Sequence, residues 1–262
     1  MSADVMPMVR VIKIGGRAQG DARLPAALAL AVESGVSVCV VHGGGDEVSQ
    51  LQRQLGSEPT FRDGRRVTTA SDLAVVRMVL SGTVNKRLVG DFLGAGVAAA
   101  GVSGEDGGLL LCRQFGSGEL GEVGEPERVD PSLLRVLLAG GFIPVVSPLG
   151  RFADGNGCNV NGDDAAAAIA AALGADELLL VADVAGVLNE SGVVLGTVDA
   201  DESESLVTNG TARGGMIAKL EAARRAIAAG VKRVRIGDLT AIADQTAGTV
   251  IVPARQTAHQ IR

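Results

Sequence analysis

The chain has no tryptophan and no tyrosine, and its five phenylalanines bring the aromatic share to 2%. Proteins that bind nucleic acid use stacking rings and a basic surface. This chain has neither, because its 30 acidic residues outnumber its 24 basic ones and leave a formal net charge of -6. No nucleic-acid partner is expected. Cysteine is scarce as well: Cys39, Cys112 and Cys158 are odd in number, widely separated and without a C-x-x-C pair. Neither a disulfide framework nor a zinc site is indicated, and the thiols read as those of a reduced cytoplasmic protein. No apolar run approaches the roughly 18 residues of a membrane span, and MSADVMPMVR lacks the basic-then-apolar order of a signal peptide. A soluble, cytoplasmic protein is expected. Two nucleotide fingerprints, G-x-x-x-x-G-K-[ST] and G-x-G-x-x-G, are also missing.

What the chain does have is apolar surface to bury. At 262 residues and 47% hydrophobic content it can form one large domain or two closely joined lobes. Its 37 glycines fall in short clusters between apolar segments, the pattern of tight strand-to-helix turns. Strand-like runs rich in β-branched residues recur as VRVIKI (9–14), VSVCVV (36–41), FIPVVS (142–147), ELLLVAD (177–183) and VKRVRI (231–236). Helix-like stretches lie between most of them, among them LPAALALAVES, DEVSQLQRQLG, PSLLRVLLAGG, DDAAAAIAAALG and MIAKLEAARRAIAAG. This alternation predicts an α/β fold with a largely parallel sheet covered by helices. Two stretches break it, 107–129 and 186–198, and both read as β-hairpins projecting from the main layers. A change from one lobe to the other is placed near Gly174.

Ligands in open parallel sheets gather at the carboxyl ends of the strands, and the unusual residues fall there. Lys13 stands near the end of a strand that should be buried, where a charge is costly unless an anion meets it or its stem snorkels out. Gly15 and Gly16 follow it and would let a phosphate approach the backbone. Gly43, Gly44 and Gly45 join a strand to a helix, and consecutive unhindered N–H groups at a helix start make an anion site. His42, just before them, reads as a satisfied turn histidine. In NVNGDD the residues before the alanine-rich run suit an N-cap with a first-turn acid, a role that Asp164 could fill, yet Asn159 and Asp163 also lie on the edge where the glycine loops belong. Lys219 falls in the opening turns of a helix, a place that disfavours a cation unless an anion compensates. Arg66 in GRRVTTASDL is a planar fork suited to a carboxylate, with Arg65 as a solvated neighbour.

IKIGG, VVHGGGDEV, GRRVT, MVLSGTVNKRLV, GVSGEDGGLL, NVNGDDAA, LLLVADVAGVL and GGMIAKL, in this order and over nearly the whole chain, resemble the amino acid kinase family, and within it the acetylglutamate branch. The resemblance implies a three-layer αβα sandwich with a largely parallel central sheet. It places an amino acid site in an N-lobe of about residues 1–174 and a nucleotide site in a C-lobe of about 175–262. It assigns Lys13 and Lys219 as phosphate-stabilising lysines and Asp163 as the carboxylate that orients them. Gly44, Gly45, Arg66 and Asn159 would form the amino acid pocket. Gly15, Gly16 and Gly43, together with Asp183, Val184, Gly186, Val187, Leu188, Gly214, Gly215 and Met216, would bind phosphate and nucleotide. The implied reaction is phosphorylation of the side-chain carboxylate of N-acetyl-L-glutamate by ATP with Mg²⁺, with no protein metal site.

Two other readings compete. A kinase acting on aminoadipate or glutamate attached to an acidic carrier protein should present basic charge near the substrate hairpin, but FGSGELGEVGEPERV has four Glu against one Arg. A non-catalytic amino acid or nucleotide sensor should have lost Lys13, Asp163 or Lys219, and all three are present. Arginine-inhibited hexameric members carry a longer N-terminal helix than the short stretch before VRVIKI, so an arginine-insensitive homodimer is expected. Sedimentation with and without arginine should give a dimer in both cases; a hexamer would overturn the expectation.

Overall fold

A computed structural model describes residues 8–254, so the N-terminal extension and most of the tail PARQTAHQIR lie outside the described residues. The strands are β1 (Val9–Ile14), β2 (Ser37–His42), β3 (Phe61–Arg62), β4 (Arg65–Arg66), β5 (Ala99–Ser103), β6 (Leu110–Gln114), β7 (Val123–Val129), β8 (Ile143–Ser147), β9 (Leu149–Arg151), β10 (Gly157–Val160), β11 (Glu177–Val181), β12 (Thr197–Val198), β13 (Arg233–Gly237) and β14 (Thr249–Ile251). The α-helices are α1 (Leu24–Glu33), α2 (Gly45–Gln54), α3 (Ala70–Arg77), α4 (Asn85–Gly94), α5 (Ser132–Ala139), α6 (Gly162–Leu173), α7 (Ala200–Thr208), α8 (Gly215–Ala228) and α9 (Thr240–Ala243). A π-helical segment, Met78–Val84, joins α3 to α4.

Eight strands form one sheet in the order β12-β14-β13-β11-β1-β2-β8-β5. Neighbours run parallel except β13 and β14, which are antiparallel. Successive side chains on a strand point to opposite faces, and the apolar runs are buried on both. Val11, Cys39, Val41, Leu178 and Leu180 face a core shared with α5, α6, α7 and α8. Ile12, Ile14, Val38, Val40, Leu179 and Val181 face a second core with α1, α2, α3, α4 and α9. The result is the expected three-layer αβα sandwich. Helix α6 lies against its layer with alanines: Ala165, Ala166 and Ala170 are fully buried, so its backbone can approach both the sheet and α8.

The stretch 107–129 does not form a free-standing hairpin. Strands β6 and β7 pair antiparallel but close with β9 and β10 into a small barrel, whose packing takes in Cys112 and Cys158: a Cβ added at Gly124 would lie 2.5 Å from the Cys158 sulfur and 2.9 Å from the Cys112 Cβ. Closing the barrel removes the unpaired edges that a projecting hairpin would have exposed. The stretch 186–198 is likewise not a full hairpin: it makes a single antiparallel bridge, Leu188 to Val194, and its end, β12, joins the main sheet beside β14. All three cysteines are free and buried.

At the amino ends of β1, β11 and β13, opposite the glycine loops, a charged cluster is sealed in the core. Arg10, Glu177 and Arg235 are almost fully buried. Arg10 Nε lies 2.5 Å from Glu177 Oε2, and Arg235 Nε donates to Glu177 Oε1 at 2.5 Å. The guanidiniums also donate to carbonyls around α9: Arg10 to Ile242 at 2.9 Å, Arg235 to Ala241 at 2.8 Å and to Ala247 at 2.6 Å. One carboxylate thus balances two buried cations. Replacing it leaves both without a counter-charge, so Glu177→Gln should lower the unfolding free energy by about 3–5 kcal/mol. Urea denaturation checks this; a loss below about 1 kcal/mol would show that the carbonyls alone satisfy the two arginines.

Candidate active site

The four polar residues of NVNGDD part company. Asn161 is the helix cap: its Oδ1 accepts from the backbone N–H of Asp163 at 2.9 Å and of Asp164 at 3.2 Å, satisfying donors that the first turn of α6 leaves over. Asp163 is thereby held in the first turn with its carboxylate turned inward, 5% exposed. Lys13, on the α6 face at the end of β1, brings Nζ to 3.1 Å from Asp163 Oδ1. Lys219, from the early turns of α8, brings its Nζ to 3.0 Å from the same oxygen. Three charged residues expected to act together therefore meet from three elements, at the carboxyl edge of the sheet.

Two ammonium groups on one carboxylate leave a buried excess of positive charge. Its effect falls on the ionisation of Lys219 and Asp163. Burial, followed by the nearby Lys13 ammonium, pushes Lys219 down to about 8 from an ordinary value of 10.5. Burial opposes ionisation of Asp163, but the two lysines outweigh it and hold the carboxyl below its ordinary value. The position of Lys13 depends on its neighbour: a Cβ at Gly15 would lie 2.7 Å from the Lys13 ammonium nitrogen. Gly16, in the left-handed region at φ 56°, sits against the Asp183 carboxylate.

Beside the lysines is a cavity of about 170 Å³ whose walls include Gly43, Gly44, Gly45, Arg66, Asn159 and Gly162. All four residues expected to form the amino acid pocket line it. Gly162 links it to the lysines, because a Cβ there would come 3.2 Å from Lys13 Cε. Of the three loop glycines, Gly43 does not offer its N–H, which donates to Ile14 O at 2.9 Å. The orphan donors of the first turn of α2, which begins at Gly45, remain for an anion. Arg66 is brought to the cavity by β4, in a hairpin that turns through Asp63 and Gly64, both at positive φ, as a two-residue hairpin turn requires. Its guanidinium donates to Gly45 O and Ser49 Oγ, each at 2.8 Å, and to Gln52 Oε1. These partners are neutral, and no carboxylate among the described residues forms an ion pair with Arg66. Asn159 Nδ2 donates to Thr68 Oγ1 at 3.1 Å. Ser49, Gln52 and Thr68 were not expected in the site from the sequence; they lie on an amphipathic helix and a turn where polar residues are ordinary.

The expectation that Arg65 is solvated is corrected. Its side chain is 16% exposed and donates to Asp164 Oδ2 at 2.8 Å, with the guanidinium 4.4 Å from the centre of the Phe115 ring. Asp164 in turn is more than a helix-start acid, since it also pairs with Arg225 of α8. His42 is fully buried. Its Nδ1 meets Gly43 O at 2.7 Å and its Nε2 meets the Asn85 amide nitrogen at 3.1 Å. Both ring nitrogens are thus committed, and burial pushes its pKa down to about 4, so it is a structural, neutral histidine rather than a base.

The nucleotide segments are less gathered. Asp183 faces Gly16 and lies 3.5 Å from Arg17 Nε. Val184 is partly exposed, whereas Val187 is buried and its N–H donates to Thr249 Oγ1 at 2.8 Å. Gly186 packs against the same threonine, so these two residues support the segment from within. Leu188 and Gly214, the latter with Gly215 and Met216 at the start of α8, flank one cleft of about 340 Å³ lined by Asn189, Glu190, Asn209, Gly210, Thr211 and Arg213.

The depressed Lys219 value can be checked in the protein without any ligand. Its ε-carbon resonance should titrate with a midpoint near 8, while ordinary surface lysines titrate near 10.4. Asp163→Asn should move that midpoint lower still, because it removes the one charge that favours the ammonium form. A midpoint above 10 would mean that the two lysines do not share a buried oxygen.

Comparison with known proteins agrees with this architecture. The model of the amino acid kinase family matches residues 8–238. The acetylglutamate kinase of Jannaschia sp. (strain CCS1) is 45% identical over 234 residues, which cover 88% of this chain and 82% of that protein. The crystal structure of smu.665 from Streptococcus mutans UA159 superposes with a TM-score of 0.84 at 29% identity, covering 93% of this chain and 98% of the other. The carbamate kinase of Giardia shares the fold at 16% identity, with a TM-score of 0.70 and coverage of 94% and 99%. With the match running from β1 through β13 and the lysine–aspartate centre in place, the chain belongs to the amino acid kinase family.

Proposed function

We propose that this protein is an acetylglutamate kinase, which transfers the γ-phosphoryl group of ATP to the side-chain carboxylate of N-acetyl-L-glutamate in arginine biosynthesis. The observation that carries the substrate class is the charge of the cavity wall. Its lining contains Arg65, Arg66, Asn159 and Asn161 and no carboxylate. A free amino acid would bring an ammonium group with no carboxylate in the lining to pair it. An N-acylated acidic amino acid is neutral at that nitrogen and anionic elsewhere. Arg66, a buried fork without an anionic partner, suits its α-carboxylate, and Asn159 offers an amide beside it.

The attacking group is a carboxylate with a solution pKa of about 4.3, already ionised at neutral pH. No general base is required, consistent with a histidine whose nitrogens are both occupied. The difficulty is instead to bring one anion onto another, so the work of the site is positioning and charge neutralisation. Lys13 and Lys219 would contact the transferring phosphoryl oxygens, with Asp163 keeping their ammonium groups aimed. Backbone N–H groups of the glycine loops would add neutral donors. Asp183 to Leu188 and Gly214 to Met216 would hold the nucleotide, so that the part up to about residue 174 binds the acceptor and the remainder binds ATP. Among the described residues no cluster of His, Cys, Asp and Glu could hold a metal ion. Magnesium would arrive on the nucleotide phosphates and add positive charge there. A cytoplasmic homodimer is the state proposed for the working enzyme.

Trapping the acyl phosphate as a hydroxamate, with Mg-ATP and in parallel N-acetyl-L-glutamate, free glutamate, aspartate and a carrier-linked substrate, tests this reading. Turnover is expected with acetylglutamate, and Lys219→Ala should lower kcat by about 100-fold or more while the acceptor KM changes by less than about threefold. Activity confined to the carrier-linked substrate, or an unchanged kcat in the variant, would overturn the assignment.

A further inference from the structure

Two adjacent pairs of like residues face each other across the site. On β4, Arg65 and Arg66 point to opposite faces of the strand. Both contribute to the cavity wall, Arg66 reaching α2 and Arg65 reaching Asp164 on α6. On α6, Asp163 turns to the two lysines and Asp164 turns to Arg65. Arg66 and Asp163 engage α2 and the two lysines, and the other two residues, Arg65 and Asp164, meet each other. Asp164 extends the link further, with one oxygen for each partner: Oδ2 takes Arg65 of the hairpin and Oδ1 takes Arg225 of α8. Helix α8 carries Lys219.

The hairpin needs such an anchor. Its strands have two residues each, and Phe61 at its start is exposed. A lone two-stranded hairpin has little stability of its own, so it depends on its surroundings: Thr68, just beyond β4, exchanges backbone hydrogen bonds with Leu120 and Glu122, and the two arginines add side-chain ties. Arg66 ties it to α2 through Gly45, Ser49 and Gln52. Arg65 ties it to α6 and, through Asp164, to α8. The carboxylate is a firm pivot, 9% exposed and fixed at its backbone by the Asn161 cap. Yet the tie is incomplete, because Arg65 Nη1 is buried without a hydrogen-bond partner. A buried donor left unpaired weakens the arrangement it belongs to.

We propose that Asp164 is a positioning residue that couples the acceptor hairpin to the helix carrying Lys219. Seating an acceptor carboxylate on Arg66 fixes β4, and with it Arg65. Asp164 then holds Arg225, and α8 is set with Lys219 at Asp163. Acceptor and nucleotide would each favour the arrangement that the other needs, and thermodynamic linkage makes that help reciprocal.

The inference rests on the proposed acetylglutamate kinase reading, and calorimetry separates the two. N-acetyl-L-glutamate would be titrated into the full chain with and without Mg-ADP, for the unmodified protein and for Asp164→Asn, Arg65→Met, Arg65→Lys and the Asp164→Asn/Arg65→Met double variant. In the unmodified protein the nucleotide should tighten acceptor binding by about tenfold. Each of Asp164→Asn and Arg65→Met should reduce that factor to within about twofold of unity, the double variant should do no more, and Arg65→Lys should restore part of it. Thermal unfolding followed in parallel identifies a variant that has lost its fold. Arg65→Met, which removes a partly unsatisfied charge, keeps the test available if Asp164→Asn is too unstable. Acceptor binding with the full tenfold factor in both single variants, or with no factor in the unmodified protein, would overturn the coupling alone. No acetylglutamate binding to the unmodified protein would overturn the functional reading, and the coupling with it.

Discussion

One carboxylate oxygen shared by two buried ammonium groups is the constraint around which this molecule is organised. Asp163 can neutralise one of the two lysines, so the centre keeps a positive excess in a place where water cannot disperse it. Burial and the neighbouring Lys13 ammonium push Lys219 toward losing its proton, and an anion relieves that excess. The three residues come from β1, α6 and α8, and the parallel sheet supplies the geometry that lets a strand end and two helix starts converge. The glycine at position 15 is required for a related reason: any side chain there would displace the Lys13 head group.

The same economy of charge distinguishes the two clusters at opposite ends of the strands. At the amino ends, Arg10, Glu177 and Arg235 also place two cations on one anion. Backbone carbonyls around α9 accept from Arg10 Nη1 and from both terminal nitrogens of Arg235, and although Arg10 Nη2 is left without a hydrogen-bond partner, that cluster is tied into the backbone and structural. At the carboxyl ends no such carbonyl collar is described around the lysines, and a cavity adjoins them. What separates a structural charge cluster from a chemical one here is the backbone collar around the first and the cavity beside the second.

Much of this was legible in the chain. The five runs became central strands because a strand buried on both faces is predominantly apolar, and their shortness and β-branched content favour strand over helix. Lys13, Asp163, Lys219, Arg66 and Asn159 stood out because each is a polar group at a strand or helix end next to glycine. What could not be read was set by partners distant in the chain. Arg65 looks like any exposed arginine until Phe115 and Asp164 are brought to it. Strands β6, β7, β9 and β10 are short, and their closure into a barrel depends on pairings between segments far apart, for which local pattern carries no signal. Val187 reads as part of a ligand-binding segment, and its burial against Thr249 follows from a strand at the far edge of the sheet. The π-helical stretch Met78–Val84 has no compositional mark to set it off from the helices on either side.

The alanine-rich helix that opens with NVNGDD has a further consequence, for the kinds of change the protein can absorb. A core built of leucine fails by truncation, when a lost side chain leaves a void. Ala165, Ala166 and Ala170 have nothing to truncate, and they are fully enclosed between the sheet and α8. At these three positions the damage comes from the other direction, by added methyl groups that wedge the layers apart. Because Asp163 and Asp164 ride on that helix, conservative-looking enlargements well away from any ligand would be expressed first as a misaimed carboxylate and only afterwards as a loss of stability.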